Sequence, residues 1–238
     1  MGVTSPAATR RTDRRLATVV EIKAAAWADI RESDSLDCSL RAVARRLGMA
    51  PSALYRYFGS RDDLLTALII DAFDDLTAVL DAAHRRARSS APTDQPGEVF
   101  VAVAAAYRRW AVQDPLRYRL IFGTPVGGYE GTEATTAASQ RSSHVMLDLM
   151  VDLVAAGALD SDRLTPGVTS EAVRGFEQWS GMLPTPLPPV ALAVAMDCYA
   201  SLHGAIQLEV NRHLPPPLQG QEEVFLGTMR RVIGSALR

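Results

Sequence analysis

The spacing of hydrophobic residues between 39 and 65 predicts two short helices joined by a tight turn, followed by the start of a third. The first helix has one apolar face at the three- and four-residue spacing of a helix, formed by Leu40, Val43, Ala44 and Leu47. Gly48 follows, where helices commonly end in a left-handed conformation that glycine adopts without steric cost. The pattern therefore predicts a helix, a turn and a second helix in quick succession.

Pro51 begins the second helix, because proline is favoured in the first turn, where its missing N–H is not needed. Leu54 and Phe58 are its expected core residues. Its other side chains include serine, arginine and tyrosine, all able to contact nucleic acid. A helix-turn-helix of this size fits a DNA major groove, with the second helix against the base edges.

Helical periodicity continues along the rest of the chain and predicts an all-α fold, since no segment shows sustained period-two alternation. Further helices are expected at 13–30, 61–86, 98–113, 115–122, 132–156, 172–179, 190–213 and 221–237. In the first of these, Leu16, Val19, Val20, Lys23 and Trp27 are expected to form one buried stripe. Runs rich in proline and glycine separate the later helices.

Charge is distributed unevenly along the 238 residues. Residues 1–62 hold 11 Lys and Arg against 7 Asp and Glu, whereas the remainder holds 14 against 20. This asymmetry indicates DNA contact at the N-terminal end. Residues 1–12 are expected to be a disordered basic arm. Arg10 and Arg11 at its end, with Arg14 and Arg15 just after it, are either solvated or attracted to phosphates and the minor groove.

Other classes of protein find little support in the residues. Cys38 and Cys198 lie far apart and match no metal spacing, which favours reduced thiols in a cytoplasmic protein. No phosphate-binding loop, nucleophile elbow or zinc-protease motif occurs, so we expect no enzyme, no cofactor and no metal. The apolar stretch 190–196 is too short to cross a bilayer, and we expect no membrane association.

The helix-turn-helix resembles the DNA-binding segment of TetR-family transcriptional regulators. The matching residues are Ser39, Arg41, Val43, Ala44, Leu47, Gly48, the run 53–58 (ALYRYF) and the run 61–65 (RDDLL). The resemblance implies a DNA-binding domain at 13–60 and a larger regulatory and dimerisation domain at 61–238. Ala50 departs from the Ser or Thr that the family often has there, which removes a helix cap.

DNA contacts follow from the residue types and the resemblance together. The candidate residues are Ser39, Arg41, Ser52, Ala53, Tyr55, Arg56, Tyr57 and Arg61. The arginines are the expected charged contacts, and the tyrosines can donate phenolic hydroxyls to phosphates. In similar proteins, base or thymine-methyl contacts occur at the positions of Ser52, Ala53 and Tyr57.

A largely apolar ligand site is expected in the C-terminal domain, because the family binds small inducers there. Its candidate residues are Tyr107, Trp110, Tyr118, Phe122, Met150, Phe176, Trp179, Tyr199 and His203. Residues 107–122 and the pair His203-Gly204 resemble the WHG-type subgroup, although its usual Trp is absent. His203 either recognises a ligand carbonyl or carboxylate, or bonds a backbone carbonyl near Gly204.

The last two helices predict a homodimer through residues 190–212 and 221–237. The first is apolar nearly all round in its first half, and the second has an apolar stripe that includes Val224 and Phe225. In a dimer, two DNA-binding domains about one turn of duplex apart would bind the two halves of a near-palindromic sequence. The hypothesis is a repressor released from its operator by a small apolar inducer. Activation remains open, and the alternative is an architectural DNA-binding protein without an inducer.

Overall fold

The computed structural model describes residues 6–90, 95–160 and 169–238. The first helices are α1 (Pro6–Ser33), α2 (Leu40–Arg46), α3 (Pro51–Leu54), α4 (Arg61–Ser90) and α5 (Pro96–Gln113). They are followed by α6 (Pro115–Phe122), α7 (Glu133–Ala155), α8 (Ser170–Gly181), α9 (Pro189–Val210), a short 3-10 helix (Pro216–Leu218) and α10 (Glu222–Gly234). The described ranges hold no strand, only an isolated bridge between Leu159 and Leu237. The prediction of an all-α fold is confirmed.

Helix boundaries agree with the predicted ones where proline interrupts the apolar pattern, as at the start of α6. The largest difference is at the N-terminus, where α1 begins at Pro6 and so includes part of the segment that was expected to be a disordered arm. Residues 1–5 of that arm lie outside the described residues. α4 also runs four residues beyond its predicted end at 86.

The chain divides into two compact units. The first comprises the residues up to Phe73 together with Leu116–Ala138. Its core combines residues of α1 to α4 with Leu120 of α6 and Ala138 of α7. Tyr129 and Thr66 share a hydrogen bond of 2.9 Å between their hydroxyls. The compact units thus differ from the predicted functional domains, because the apolar residues of α6 pack with the N-terminal helices.

The buried stripe of α1 differs from the predicted one. Ile22, Trp27 and Ile30 are buried, whereas Leu16 and Val20 are 60% and 62% exposed. The helix therefore turns a neighbouring face to the core, with Ile22, Ala26 and Ile30 four residues apart. Trp27 is a core residue, as expected, and the guanidinium carbon of Arg117 lies 5.4 Å from the centre of its indole ring.

The second unit comprises Asp74–Pro115 and Ser139–Arg238. In it α5 packs against both α9 and α10, and α8 packs against α9. By length and composition alone α9 could span a membrane, a test that core helices of soluble proteins also pass. Glu209, near the C-terminal end of α9, is paired with Arg108 of α5 inside this unit.

Candidate DNA interface and ligand site

The turn between α2 and α3 is closed by the residues that the sequence pattern singled out. Gly48 has φ +64°, the left-handed conformation expected after the end of α2. The backbone N–H of Met49 donates to the carbonyl of Ala44 at 2.9 Å, which satisfies one of the free carbonyls of the helix end. Pro51 occupies the first position of α3. Local chemistry therefore sets the angle at which α3 leaves α2.

The second helix of the motif is anchored on one side and exposed on the other. Leu54 and Phe58 are buried in the core of the first unit, as predicted. Ser52, Tyr55 and Arg56 are exposed, whereas Ala53 and Tyr57 are half-buried. Regular helix ends at Leu54, but the N–H groups of Tyr57 and Phe58 still donate to the carbonyl of Leu54, so the chain continues as a tight turn.

The ends of the neighbouring helices are capped unequally. Ser39 occupies the N-cap position of α2 with an extended backbone, but its hydroxyl makes no capping bond. Ser60 caps α4 instead, and its Oγ accepts a hydrogen bond of 3.0 Å from the backbone N–H of Asp63. Ser39 and Arg41 are both exposed. Their predicted contacts to DNA are therefore sterically open on this surface.

Arg61 differs from the other candidate arginines, because its guanidinium already makes several bonds inside the first unit. Nη2 pairs with Asp37 Oδ1 at 2.7 Å, and Nε donates to the carbonyl of Cys38 at 3.3 Å. Nη1 lies 3.5 Å from the carbonyl oxygen of Gly127 in the loop after α6. A phosphate contact by Arg61 stays a prediction, and it would compete with these partners.

Arg15 contacts the turn that follows α3, which sequence reasoning missed. Its Nη2 donates to the carbonyl of Arg56 at 3.3 Å. Its guanidinium carbon lies 5.2 Å from the centre of the Tyr57 ring. No local signal could have revealed this contact, because about forty positions separate Arg15 from its partners.

In the second unit, four of the candidate ligand residues form one aromatic cluster, consisting of Tyr107, Trp110, Tyr199 and His203. Tyr107 Oη and His203 Nε2 share a hydrogen bond of 3.2 Å. The His203 ring is tilted by 46° against that of Tyr199, with centroids 4.3 Å apart, and Trp110 Nε1 donates to Asp75 Oδ2 at 2.9 Å. The structure thus gives His203 a side-chain partner, Tyr107, that neither of its two expected roles named.

Burial shifts the pKa values of His203 and of both cysteines, Cys198 in the second unit and Cys38 in the first. It lowers the pKa of His203 to about 4, so the imidazole is neutral near pH 7. It also raises the pKa of Cys198 to about 12 and that of Cys38 to about 11. Both thiols therefore stay protonated at neutral pH, and a protonated thiol is a poor nucleophile.

The remaining candidate ligand residues are not all brought to this cluster. Tyr118 is fully buried in the first unit, where Phe122 packs edge-on against Phe73 with ring centroids 5.8 Å apart. Met150 is buried on α7 in the second unit. Phe176 and Trp179 are half-buried on α8. The predicted set is thus divided between the two units.

Comparison with known proteins agrees with this arrangement. Residues 24–68 match the model of the bacterial regulatory proteins of the tetR family. Residues 100–232 match that of the tetracyclin repressor-like C-terminal domain. The chain belongs to the TetR family of transcriptional regulators.

Relatives and solved structures of this family resemble most of the chain. The HTH-type transcriptional regulators Rv1816 of Mycobacterium tuberculosis and Mb1846 of Mycobacterium bovis are each 38% identical over 174 residues, covering 72% of this chain and 71% of theirs. The crystal structure of SCO4313 is similar with a TM-score of 0.73 and 32% sequence identity, covering 94% of this chain and 98% of that one. A TetR-family regulator from Marinobacter aquaeolei VT8 is 14% identical with a TM-score of 0.59 over 97% and 100%, a likeness of fold alone.

TetR-family regulators act as dimers, and this chain carries an exposed apolar surface on its last two long helices. Met196, Tyr199 and Leu208 on α9 and Val224 on α10 are each 41–45% exposed. Phe225, by contrast, is 5% exposed and packs near Arg108 within its own unit. A substitution at Phe225 would therefore disturb the subunit itself, so Leu208 and Val224 are the better probes of an interface.

Proposed function

We propose that this TetR-family regulator is a dimeric repressor that binds a near-palindromic operator and is released by a small apolar inducer. The main support for this proposal is the helix-turn-helix, which exposes Arg41, Tyr55 and Arg56 while Leu54 and Phe58 are buried beneath them. Binding in a DNA groove requires positively charged and hydrogen-bonding side chains that are held in place by a well-packed helix. The family match at residues 24–68 supports the same conclusion. We place the protein in the cytoplasm, together with its DNA.

At the operator, we assign Arg41 and Arg56 to phosphate or guanine contacts and Ser52, Ala53 and Tyr57 to the base edges and thymine methyl groups. Ser39 and Tyr55 are assigned to phosphates. Arg61 is assigned a smaller contribution, because Asp37 already pairs with its guanidinium.

The ligand is proposed to bind in the C-terminal regulatory domain, at residues 100–232 that match the tetracyclin repressor-like model. There, Tyr107 and His203 offer a polar pair within an aromatic cluster, which suits an apolar molecule with a single polar group. The resemblance of His203-Gly204 to the WHG-type subgroup stays a prediction. A ligand can release the operator only if it binds the released conformer more tightly than the bound one.

Dimerisation is assigned to residues 190–212 and 221–237, with two helices from each subunit in a four-helix bundle across a two-fold axis. The exposed side chains of Met196, Leu208 and Val224 support this assignment. A two-fold dimer presents two recognition helices to successive turns of one face of the duplex, which matches an inverted repeat.

Selection of bound duplexes from a random DNA pool tests the DNA-binding function, and a palindromic consensus is the expected result. On the selected duplex, Arg41→Ala and Arg56→Ala should each weaken binding about tenfold or more, and the salt dependence should become smaller wherever the arginine touches a phosphate. Arg174→Ala removes an arginine of α8 that is also exposed and serves as the control. Unchanged affinity in both helix-turn-helix variants would contradict the proposed docking.

A thermal-shift screen with neutral apolar compounds tests the sensor function. A compound that raises the melting temperature and also releases the selected duplex identifies an inducer. The response should weaken in His203→Gln, because the polar pair with Tyr107 is altered. If no compound in a broad screen affects DNA binding, the inducer-independent architectural protein becomes the better description. A reporter gene placed behind the selected duplex separates repression from activation.

A further inference from the structure

The recognition helix α3 of this chain is short, and the turn that follows it is held from outside by a residue of α1. α3 has only four residues. Isolated helices of that length are unstable, so their geometry depends on packing. Leu54 and Phe58 anchor the inner side in the core. The turn after α3 is contacted by Arg15, whose Nη2 donates to the carbonyl of Arg56 at 3.3 Å.

Arg15 makes two different contacts to adjacent residues. Its guanidinium lies over the Tyr57 ring, with 5.2 Å between Cζ and the ring centre, while the same group binds the preceding carbonyl. The acceptor is a backbone carbonyl, and a hydrogen bond from an ionised donor is stronger than one between neutral groups. The planar guanidinium can also stack on an aromatic face, which lysine cannot do equally well.

We propose that Arg15 is a positioning residue for DNA recognition. It holds the turn after α3, and so presents Arg56 and Tyr57 to the duplex in a preorganised conformation. Fixing a binding segment in its bound geometry raises affinity by reducing the ordering cost of binding. Arg15 thus acts through its neighbours and does not itself neutralise a phosphate. This inference rests on the proposed DNA-binding function.

Arg14 provides a matched comparison. It precedes Arg15 on α1, has the same charge and is also exposed. A residue that only neutralises phosphate raises affinity for all duplexes alike, and its removal reduces the salt slope by about 0.9 for each phosphate that it neutralised. Removal of a positioning residue lowers affinity for the selected duplex more than for a scrambled one, and it leaves the slope unchanged.

The test measures binding of the full-length protein to a duplex that it selected from a random pool and to a scrambled duplex, over a series of salt concentrations. Arg15→Ala should lose about tenfold in affinity for the selected duplex, with the parent salt slope. Arg15→Lys should recover only part of the loss seen in Arg15→Ala, because the charge is kept but the planar group is removed. Arg14→Ala should affect both duplexes equally.

A second measurement examines the contact without DNA. In protein labelled with 3-fluorotyrosine, the fluorine resonance of Tyr57 is identified by its disappearance in Tyr57→Phe. That resonance should shift in Arg15→Ala and stay in place in Arg14→Ala. Full rescue of affinity by Arg15→Lys, a reduced salt slope in Arg15→Ala, or an unmoved Tyr57 resonance would each overturn the inference. If the unmodified chain selects no duplex, the proposed function fails and this inference fails with it.

Discussion

The buried ion pair between α5 and α9 allows a quantitative test of the second unit. Arg108 Nε and Nη2 donate to the two carboxylate oxygens of Glu209 at 2.8 and 2.6 Å. Both side chains are only 6% exposed. Replacing Glu209 by leucine removes the negative partner and leaves a buried guanidinium. Replacing Arg108 by methionine does the reverse. The double variant Arg108→Met, Glu209→Leu removes both charges and fills the space of the ion pair with apolar side chains.

The expected magnitudes differ sharply between the single and double variants. Removal of one partner of a buried pair costs about 3–5 kcal/mol, because the remaining charge is left without compensation in a medium of low polarity. Glu222 lies 3.8 Å from Arg108 and is partly exposed, so it compensates Glu209→Leu weakly and moves that value towards the lower limit. Removing both charges is often neutral or even stabilising. For a chain of this length, the single variants should melt about 10 °C lower.

Urea unfolding followed by circular dichroism measures these differences. The protein concentration must be the same for every variant, since association contributes to the stability of a dimer. Arg109→Ala is the control, because Arg109 is the next residue of α5 and pairs with Glu222, with side chains 53% and 40% exposed. An exposed pair contributes only about 0–1 kcal/mol.

Two results would refute the reasoning. If Glu209→Leu changes the free energy of unfolding no more than Arg109→Ala does, the pair is not buried as described. If the double variant is as unstable as the single ones, the destabilisation comes from altered packing and not from an uncompensated charge.

Three further predictions concern other parts of the chain. The pKa of His203 is lowered from 6.5 to about 4 in the folded protein, so the unfolded state binds more protons between these pH values. The free energy of unfolding should therefore fall as the pH falls from 6.5 to 4, by up to about 1.4 kcal/mol per pH unit. His203→Gln should lack this pH dependence. The same pH profile of stability in the parent protein and in His203→Gln would contradict the lowered pKa of His203. Leu208→Asp should yield monomers in sedimentation. The control is Val154→Asp, which changes an exposed apolar residue of α7 and should leave the dimer intact. A dimeric Leu208→Asp would exclude this surface from the interface. Ser60→Ala should cost about 1 kcal/mol in urea unfolding and Ser39→Ala almost nothing, since only Ser60 makes a capping bond; equal costs would contradict this assignment.

The helix-turn-helix could be predicted from the sequence because its signals are local. Gly48 and Pro51 impose their conformations on the backbone directly. Leu54 and Phe58 face the core because their four-residue spacing places them on one side of a helical turn. The same holds for α5 and α6, whose junction is marked by a proline.

Other features depend on residues that are distant along the chain. Leu16 and Val20 fit an amphipathic pattern, yet they are exposed, because the packing of Ile22 and Ile30 determines which face of α1 is buried. Arginine is usually found at the surface, yet Arg108 is buried, because Glu209, about a hundred positions later, neutralises its charge. Spacing within a helix contains no information on either outcome.

The candidate sites divide in the same way. Composition and periodicity were sufficient for the all-α fold, for the exposure of Arg56 and for the burial of Phe58, because each follows from one helix and its turn. The contact of Arg15 with Tyr57 and the bond between Tyr107 and His203 required the folded chain. The physical reason is that periodicity determines which side chains share a face, whereas the partner of that face depends on long-range packing of the whole unit.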